Sequence, residues 1–426
     1  MSKTTAISIV IGFILLLGGG LAYWYYTIGP KNPSQQNPQT NTGGNNLFPF
    51  GNTNQSNNGT TSTSTNQTVV SKEPSPQVRK VSATPIAGFS PLNDKTLGAS
   101  VRYMEVETGN IYEAPLQVLS TRRISNTTIP KVRSVLWLPQ ARAFIAQYLG
   151  GDDETIQSFY GDINPPQNEG QEGNVTGKFM DDGITALASL TPFSASTTLK
   201  NPGKIFYLKN TTNGAEGFSA LQNGSKPTSV FNSPLSEWLL LNSGGDALFL
   251  QTKSSALASS YLFSLNPSTG ALSKVLGNIV GLSSLPNQKG DMVLYSETLN
   301  KKPLLHLYNV GKNTFQTIPL NTFADKCAWL ESTTTKATNS SRIYCGVPSL
   351  MLSQVLYPDS WYQGKTTFND DIWEINPTTL ELNKLVPLVD SGSYLDVWNP
   401  SLSSDSAYFI FINKRDLTLW SIKLRG

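Results

Sequence analysis

Residues 77–426 predict an all-β fold built from a repeated unit, and three observations lead there. Short runs of Val, Ile, Leu, Phe, Tyr and Thr are broken by Gly, Asn, Pro and Asp, with almost no stretch of helical periodicity. A large apolar residue, often followed two places later by Pro, recurs along the chain. It stands as Phe89-Ser90-Pro91, Trp137-Leu138-Pro139, Leu190-Thr191-Pro192 and Trp398-Asn399-Pro400, with looser versions at Trp238, Leu285-Pro286 and Trp329. Successive marks are about 44 to 53 residues apart, except for a longer last spacing.

Each mark opens the same series of events. After Trp238 come ALFLQ, YLFSL, the turn Asn266-Pro267-Ser268-Thr269-Gly270 and ALSKVL; the next unit gives MVLYS, LLHLYNV, Gly311-Lys312-Asn313 and TFQTIPL. Four short strands with tight turns, recurring at this period, fit a β-propeller blade better than a sandwich, whose strands need not recur in groups. Seven marks predict seven four-stranded blades, with six or eight as the neighbouring solutions. The last unit offers only LDVWNP, AYFIFIN and LTLWSIKL before the chain ends. The segment QVRKVSA, residues 77–83, precedes the first mark and is expected to supply the missing outer strand, which would close the ring without a ragged edge.

The units AFIAQY after LWLP, MVLYS after LPNQKGD and AYFIF after VWNPSLSSDS resemble WD40-like repeats of the TolB type, across roughly residues 84–424. The Asp-Gly expected in the turn is missing from most units, and no Trp-Asp dipeptide occurs. The resemblance implies the propeller fold and an extracytoplasmic interaction platform. It carries over no functional residue, because propellers host unrelated activities.

The N-terminal part reads differently. No charge occurs between Lys3 and Lys31, and AISIVIGFILLLGGGLAYWYY is long enough to cross a hydrocarbon layer of about 30 Å. Tyr23, Trp24, Tyr25 and Tyr26 follow the aliphatic part, where aromatic rings sit at a membrane interface. Residues 1–30 are therefore expected to be a transmembrane anchor with a cytoplasmic N-terminus, the alternative being a signal peptide cleaved before Leu21. Residues 31–76, rich in Asn, Gln, Ser, Thr, Gly and Pro, cannot bury enough apolar surface to fold and are expected to form a disordered linker. A flexible chain of this length spans on the order of 35 to 40 Å. The expected location is thus a cell membrane, single-pass, with the ring at residues 77–426 held outside the cytoplasm.

Composition excludes more chemistry than it supports. A charged fraction of 14% and a net charge of +3 argue against a nucleic-acid partner. The one histidine, His306, lies inside LLHLYNV and reads as a hydrogen-bonded strand residue rather than a catalytic base. One His and two Cys make no zinc site, no phosphate-binding glycine loop or dinucleotide fingerprint is present, and no catalytic residue, metal or cofactor is expected. The acidic clusters Asp152-Asp153-Glu154, Asp181-Asp182 and Asp370-Asp371 read as turns, where Asp accepts backbone hydrogen bonds, with a calcium site as the alternative although the Asp-x-Asp-x-Asp-Gly spacing of a calcium loop is missing. Two function classes remain: a noncatalytic module binding a protein or an envelope polymer, with lipid contacted through the N-terminal helix, and a surface hydrolase using carboxylates on a sugar or cell-wall polymer.

Two features single out residues. Cys327 begins the strand CAWL and Cys345 lies in the next strand RIYCGV, so antiparallel pairing within one blade can bring them into disulfide range, the alternative being a pair of small buried thiols. Between RIYCGV and DIWEIN the chain inserts residues 348–370, where other units use a loop of a few residues. Leu350, Met351, Leu356, Tyr357, Trp361 and Tyr362 give this insertion the Met and aromatic content of a protein contact site, or of a segment folded back on its own blade.

Overall fold

The strand segments of the sequence are apolar at consecutive positions because both of their faces are covered. In Lys204–Thr211, Ile205 and Tyr207 pack toward one neighbouring sheet while Phe206 and Leu208 pack toward the other. Alternate side chains of a strand point to opposite faces, so a sheet wedged between two others reads as a continuous apolar run. The computed structural model describes residues 73–424 except 152–153, 167–170, 172, 193–194, 196, 198–201, 243–246, 331–340, 389–391 and 393. Its strands form seven four-stranded antiparallel sheets. They are the blades of a propeller, in chain order residues 86–125, 132–179, 184–233, 238–280, 283–318, 327–386 and 397–423. Seven apolar clusters lie one between each pair of adjacent blades, including blades 7 and 1.

The seven sequence marks fall on or just after the seven innermost strands. Phe89 lies in Ile86–Asp94, Trp137 in Val132–Trp137, Trp238 in Trp238–Asn242, Leu285 in Ser283–Pro286, Trp329 in Cys327–Leu330 and Trp398 in Val397–Leu402, while Leu190 follows Ile184–Ser189. Proline is tolerated there because an innermost strand is paired on one side only, so a missing N–H need not break a ladder. Pro139 and Pro192 stand just past the strand end, and Pro400 sits in a register shift between Trp398 and Ser401.

Blade 7 takes its outer strand from the start of the ring. Val78–Lys80 pairs with Leu419–Lys423, and every strand of the seven sheets lies between Val78 and Lys423. The closing strand is tied to blade 1 as well. Arg79, 5% exposed, donates to the carbonyls of Pro115 at 2.7 Å, Val118 at 2.8 Å and Ser120 at 3.1 Å. Pro74 bridges Val118 in the same connection.

Cys327 and Cys345 are direct cross-strand partners in blade 6, Cα atoms 4.1 Å apart and sulfurs 2.10 Å apart, as a disulfide in the core between blades 5 and 6. His306 pairs opposite Tyr295 in blade 5; its Nε2 is 3.0 Å from Glu297 Oε1 and its Nδ1 3.1 Å from Thr317 Oγ1. Burial lowers its pKa against the opposing pull of Glu297, which suits a structural strand histidine. Tyr23, Trp24, Tyr25 and Tyr26, with the rest of the expected anchor and most of the expected linker, lie outside the described residues. Among the described residues no helix is long and apolar enough to cross a membrane.

Candidate functional site

In a four-stranded blade, the connection into the next blade and the loop between the second and third strands emerge at one end of the ring. The insertion is the second-to-third-strand loop of blade 6, between Arg342–Pro348 and Asp370–Ile375. It therefore meets the connections from blade 5 to 6 and from 6 to 7, and the corresponding loops of blades 4, 5 and 7. Pro74 and Val118 belong to the other end, so the described chain enters the ring opposite the insertion.

The insertion builds its own small core. Met351, Tyr357, Trp361 and Phe368 pack around Phe323 of the blade 5 to 6 connection, and the Trp361 and Phe323 rings stack with centroids 5.1 Å apart. A single helical turn, Asp359–Tyr362, carries Trp361 inward. Two polar contacts fasten this segment to other blades: Asp359 accepts from the Ala256 N–H of blade 4 at 2.6 Å, and Thr298 of blade 5 donates to the Tyr357 carbonyl at 2.8 Å.

Below this core lies a fully buried ion cluster. Lys326 donates to Asp396 at 2.5 Å, to Asp370 at 2.8 Å and to the Val397 carbonyl at 3.1 Å, with all three charged side chains at 0% exposure. Its ammonium also lies 4.7 Å from the Trp361 ring centroid and 5.0 Å from that of Phe368. Asp396 accepts further from Trp361 Nε1 at 3.1 Å and from the Phe368 N–H at 3.0 Å. Asp370 accepts from the Val397 N–H at 2.7 Å. Gly346 makes the approach possible, since a Cβ there would stand 2.6 Å from Val397 and 3.1 Å from the Asp370 carboxylate. Burial pushes the Asp370 carboxyl up to about 6; Lys326 opposes this, and the Asp396 charge adds to it.

Around the cluster the charges continue outward. Lys414 lies 5.0 Å from the Trp361 ring and 5.4 Å from that of Trp398; burial lowers its pKa, opposed chiefly by Asp396. The Tyr362 hydroxyl donates to Asp325, and burial of that hydroxyl end, followed by the Asp325 charge, raises its pKa while the residue as a whole stays 38% exposed.

Several expected sites are relocated by these contacts. Asp370 and Asp371 do not form a turn: they begin an inner strand of blade 6, Asp370 on Lys326 and Asp371 2.9 Å from Lys384. Of the six insertion residues expected at a contact surface, Met351, Tyr357 and Trp361 are buried in the cap core, because Phe323, Phe368 and Asp396 supply their partners. Leu350, Leu356 and Tyr362 remain exposed. Asp181 lies 3.8 Å from Lys209 at the surface, and Asp152 and Asp153 lie outside the described residues. Sequence reasoning missed Lys326, Asp396 and Phe323. The available signal was Lys326 itself, a cation placed immediately before the apolar strand CAWL.

Chemically the cluster is a lock. Asp370 and Asp396 converge, but on a lysine and beneath aromatic rings, with no exposed atom in either side chain. Apolar groups are concentrated at this end. Of fifteen exposed large hydrophobic residues among the described residues, thirteen lie in this half of the ring, Leu272 and Phe315 being the two exceptions.

The fold defines the chain as a seven-bladed β-propeller. No protein-family model and no curated protein matches it. Solved structures do. The oligogalacturonate lyase in complex with manganese is similar at 10% identity with TM-score 0.48, covering 80% of this chain and 97% of the lyase. The β-propeller domain of the Trilobed protease from Pyrococcus furiosus, with an open velcro topology, gives 9% identity, TM-score 0.44, and 80% and 98% coverage. Puromycin hydrolase gives 12% identity, TM-score 0.43 and 79% coverage of this chain, which spans about half, 51%, of that enzyme. At these identities the likeness is one of fold alone.

Proposed function

We propose that this chain is a noncatalytic binding propeller held on the outer face of a membrane, taking a protein or envelope polymer at the end capped by the insertion. In this reading residues 1–30 are the anchor and residues 31–76 the spacer, and the TolB-type resemblance of the repeats fits such a platform. The observation that carries the reading is the gathering of exposed aromatic rings around a rigid cap. Tyr362, Tyr394 and Trp398 are 38%, 64% and 36% exposed, and all belong to the insertion or to the blade 6 to 7 junction. Such rings bury much area with few rotamers to freeze, which suits anchors of a contact site.

The hydrolase alternative calls for two carboxylates open to a substrate. The pair that meet at this end are buried on Lys326, which favours binding. The test replaces Tyr394 and Trp398 with Ser in the full-length chain and compares cross-linked partners recovered from its native membrane. Loss of a specific adduct with an unchanged melting temperature is the expected result. The same adducts in the variant would refute the assignment of this surface.

A further inference from the structure

A second exposed group at the capped end is made of leucines rather than aromatics, and it lies over blades 4 to 6. Leu350 and Leu352 flank Met351, whose burial in the cap core turns its neighbours outward to 71% and 53% exposure. The Leu352 N–H donates to the Tyr357 hydroxyl at 3.3 Å, and Leu356, next to Tyr357, is 48% exposed. The two polar fasteners of the insertion bring in leucines from other blades. Ala256, bonded to Asp359, is followed by Leu257 at 78% exposure, and Thr298, bonded to Tyr357, by Leu299 at 49%. Five leucines from three blades thus stand within one residue of contacts made by residues 351–359.

We infer that these leucine tips, with the lysines beside them, form a docking face for an anionic lipid surface, distinct from the N-terminal segment. Side chains exposed to this degree at loop tips project outward and do not line a groove, so they fit a soft phase better than a folded partner. The charge pattern agrees. Lys301 and Lys302 follow Leu299 after Asn300 and Lys365 lies in the later part of the insertion, and among the described residues none of the three has a carboxylate at ion-pair distance. Of the acids nearby, Asp359 has an oxygen taken by the Ala256 N–H, Asp325 accepts from Tyr362, Glu297 lies 3.0 Å from His306 Nε2 and Glu237 is paired with Lys253. Apolar tips with a cationic border are the chemistry of a segment resting in the headgroup region of an anionic membrane. The position agrees too: this end is opposite the one where the described chain enters the ring at Pro74. The inference goes beyond the partner site at the blade 6 to 7 junction and uses other residues.

All seven sheets close within residues 78–423, so a chain of residues 69–426 carries the whole ring. Its cooperative melt is the check that it folds. Co-sedimentation is measured with vesicles of phosphatidylcholine alone and of phosphatidylcholine with phosphatidylglycerol. Binding to the anionic vesicles is expected, weakened by salt, and reduced about tenfold or more by Leu257→Asn with Leu350→Asn. The triple change Lys301→Gln, Lys302→Gln and Lys365→Gln is expected to reduce it by a similar factor, at about fivefold per lysine before screening. Both variants should melt as the parent does. No sedimentation with either vesicle overturns the inference, as does equal binding to both, or binding unaffected by the leucine changes. Binding of an acidic amphipathic peptide without vesicle binding would also overturn it, in favour of a protein partner.

Discussion

Replacing Lys326 with Met tests whether the buried cluster holds together the cap and the strands Asp370–Ile375 and Val397–Leu402. The substitution keeps the side-chain volume and the packing against Trp361 and Phe368, and removes the ammonium from Asp396, Asp370 and the Val397 carbonyl. Two carboxylates at 0% exposure are then left without their cation, and breaking a buried pair in this way costs about 3–5 kcal/mol. The cost has a signature in pH. Without Lys326 the folded pKa of Asp370 rises further above its unfolded value, so the folded state binds more protons than the unfolded one across the interval between them. Stability of the variant must therefore increase as pH falls, by up to about 1.4 kcal/mol per pH unit while that carboxylate is losing its charge. Chemical denaturation followed by tryptophan fluorescence at about pH 7.5 and about pH 5 gives both quantities. A deficit near 4 kcal/mol at the higher pH that shrinks at the lower one is the expected result. A deficit below about 1 kcal/mol, or one independent of pH, would refute the argument that these charges are sealed and paired.

Two smaller perturbations bear on the same region. In the natural chain Asp370, raised to about 6, is destabilising while ionised, so stability gains from this residue as pH falls through that value, by about 3 kcal/mol at most over the full window. Asp370→Asn keeps the acceptor for the Val397 N–H and removes the charge, so the variant should lose this contribution, visible as a changing difference from the parent between about pH 7.5 and about pH 5; a constant difference would contradict it. Nonreducing mass spectrometry of the protein from its native source should show Cys327 joined to Cys345, and changing both to Ser should cost about 2–4 kcal/mol for a bridge between residues 18 apart. Two freely alkylated thiols would contradict it.

The ring was legible because its rule is local. Each blade repeats one mark at its innermost strand, and a strand between two apolar neighbours needs apolar residues on both faces, as Ile205 to Leu208 show. Closure by residues 77–83 was legible for a related reason: the last unit was one strand short, and an unpaired edge invites completion. The site was less legible because its contacts are not local. Asp370-Asp371 follows Asn369 at the end of a long loop, which is what an acidic turn looks like. It begins a strand, and Lys326, 44 residues earlier, is the cation that meets Asp370 there. Aromatic content in the insertion was ambiguous in the same way. Rings that anchor a partner and rings that fill a small core are the same residues, and Trp361 belongs to the second kind because Phe323 and Asp396 happen to reach it.

A buried cation with two carboxylates is a poor way to gain stability, since an apolar cluster of the same volume usually does as well or better. What charges and N–H donors provide is direction. Lys326 comes from the blade 5 to 6 connection, Asp396 from the blade 6 to 7 connection, and Trp361 and the Phe368 N–H from the insertion; each bond fixes one of these segments against another. An apolar cap over the same strands could slide by a fraction of a side chain with little loss. This one cannot do so without uncovering a charge. The exposed groups that ride on it, Leu350, Leu356 and Tyr362 among them, are thereby held in place in the free protein. In the proposed binding role, the ordering cost that a long loop would otherwise meet on binding would then already be met.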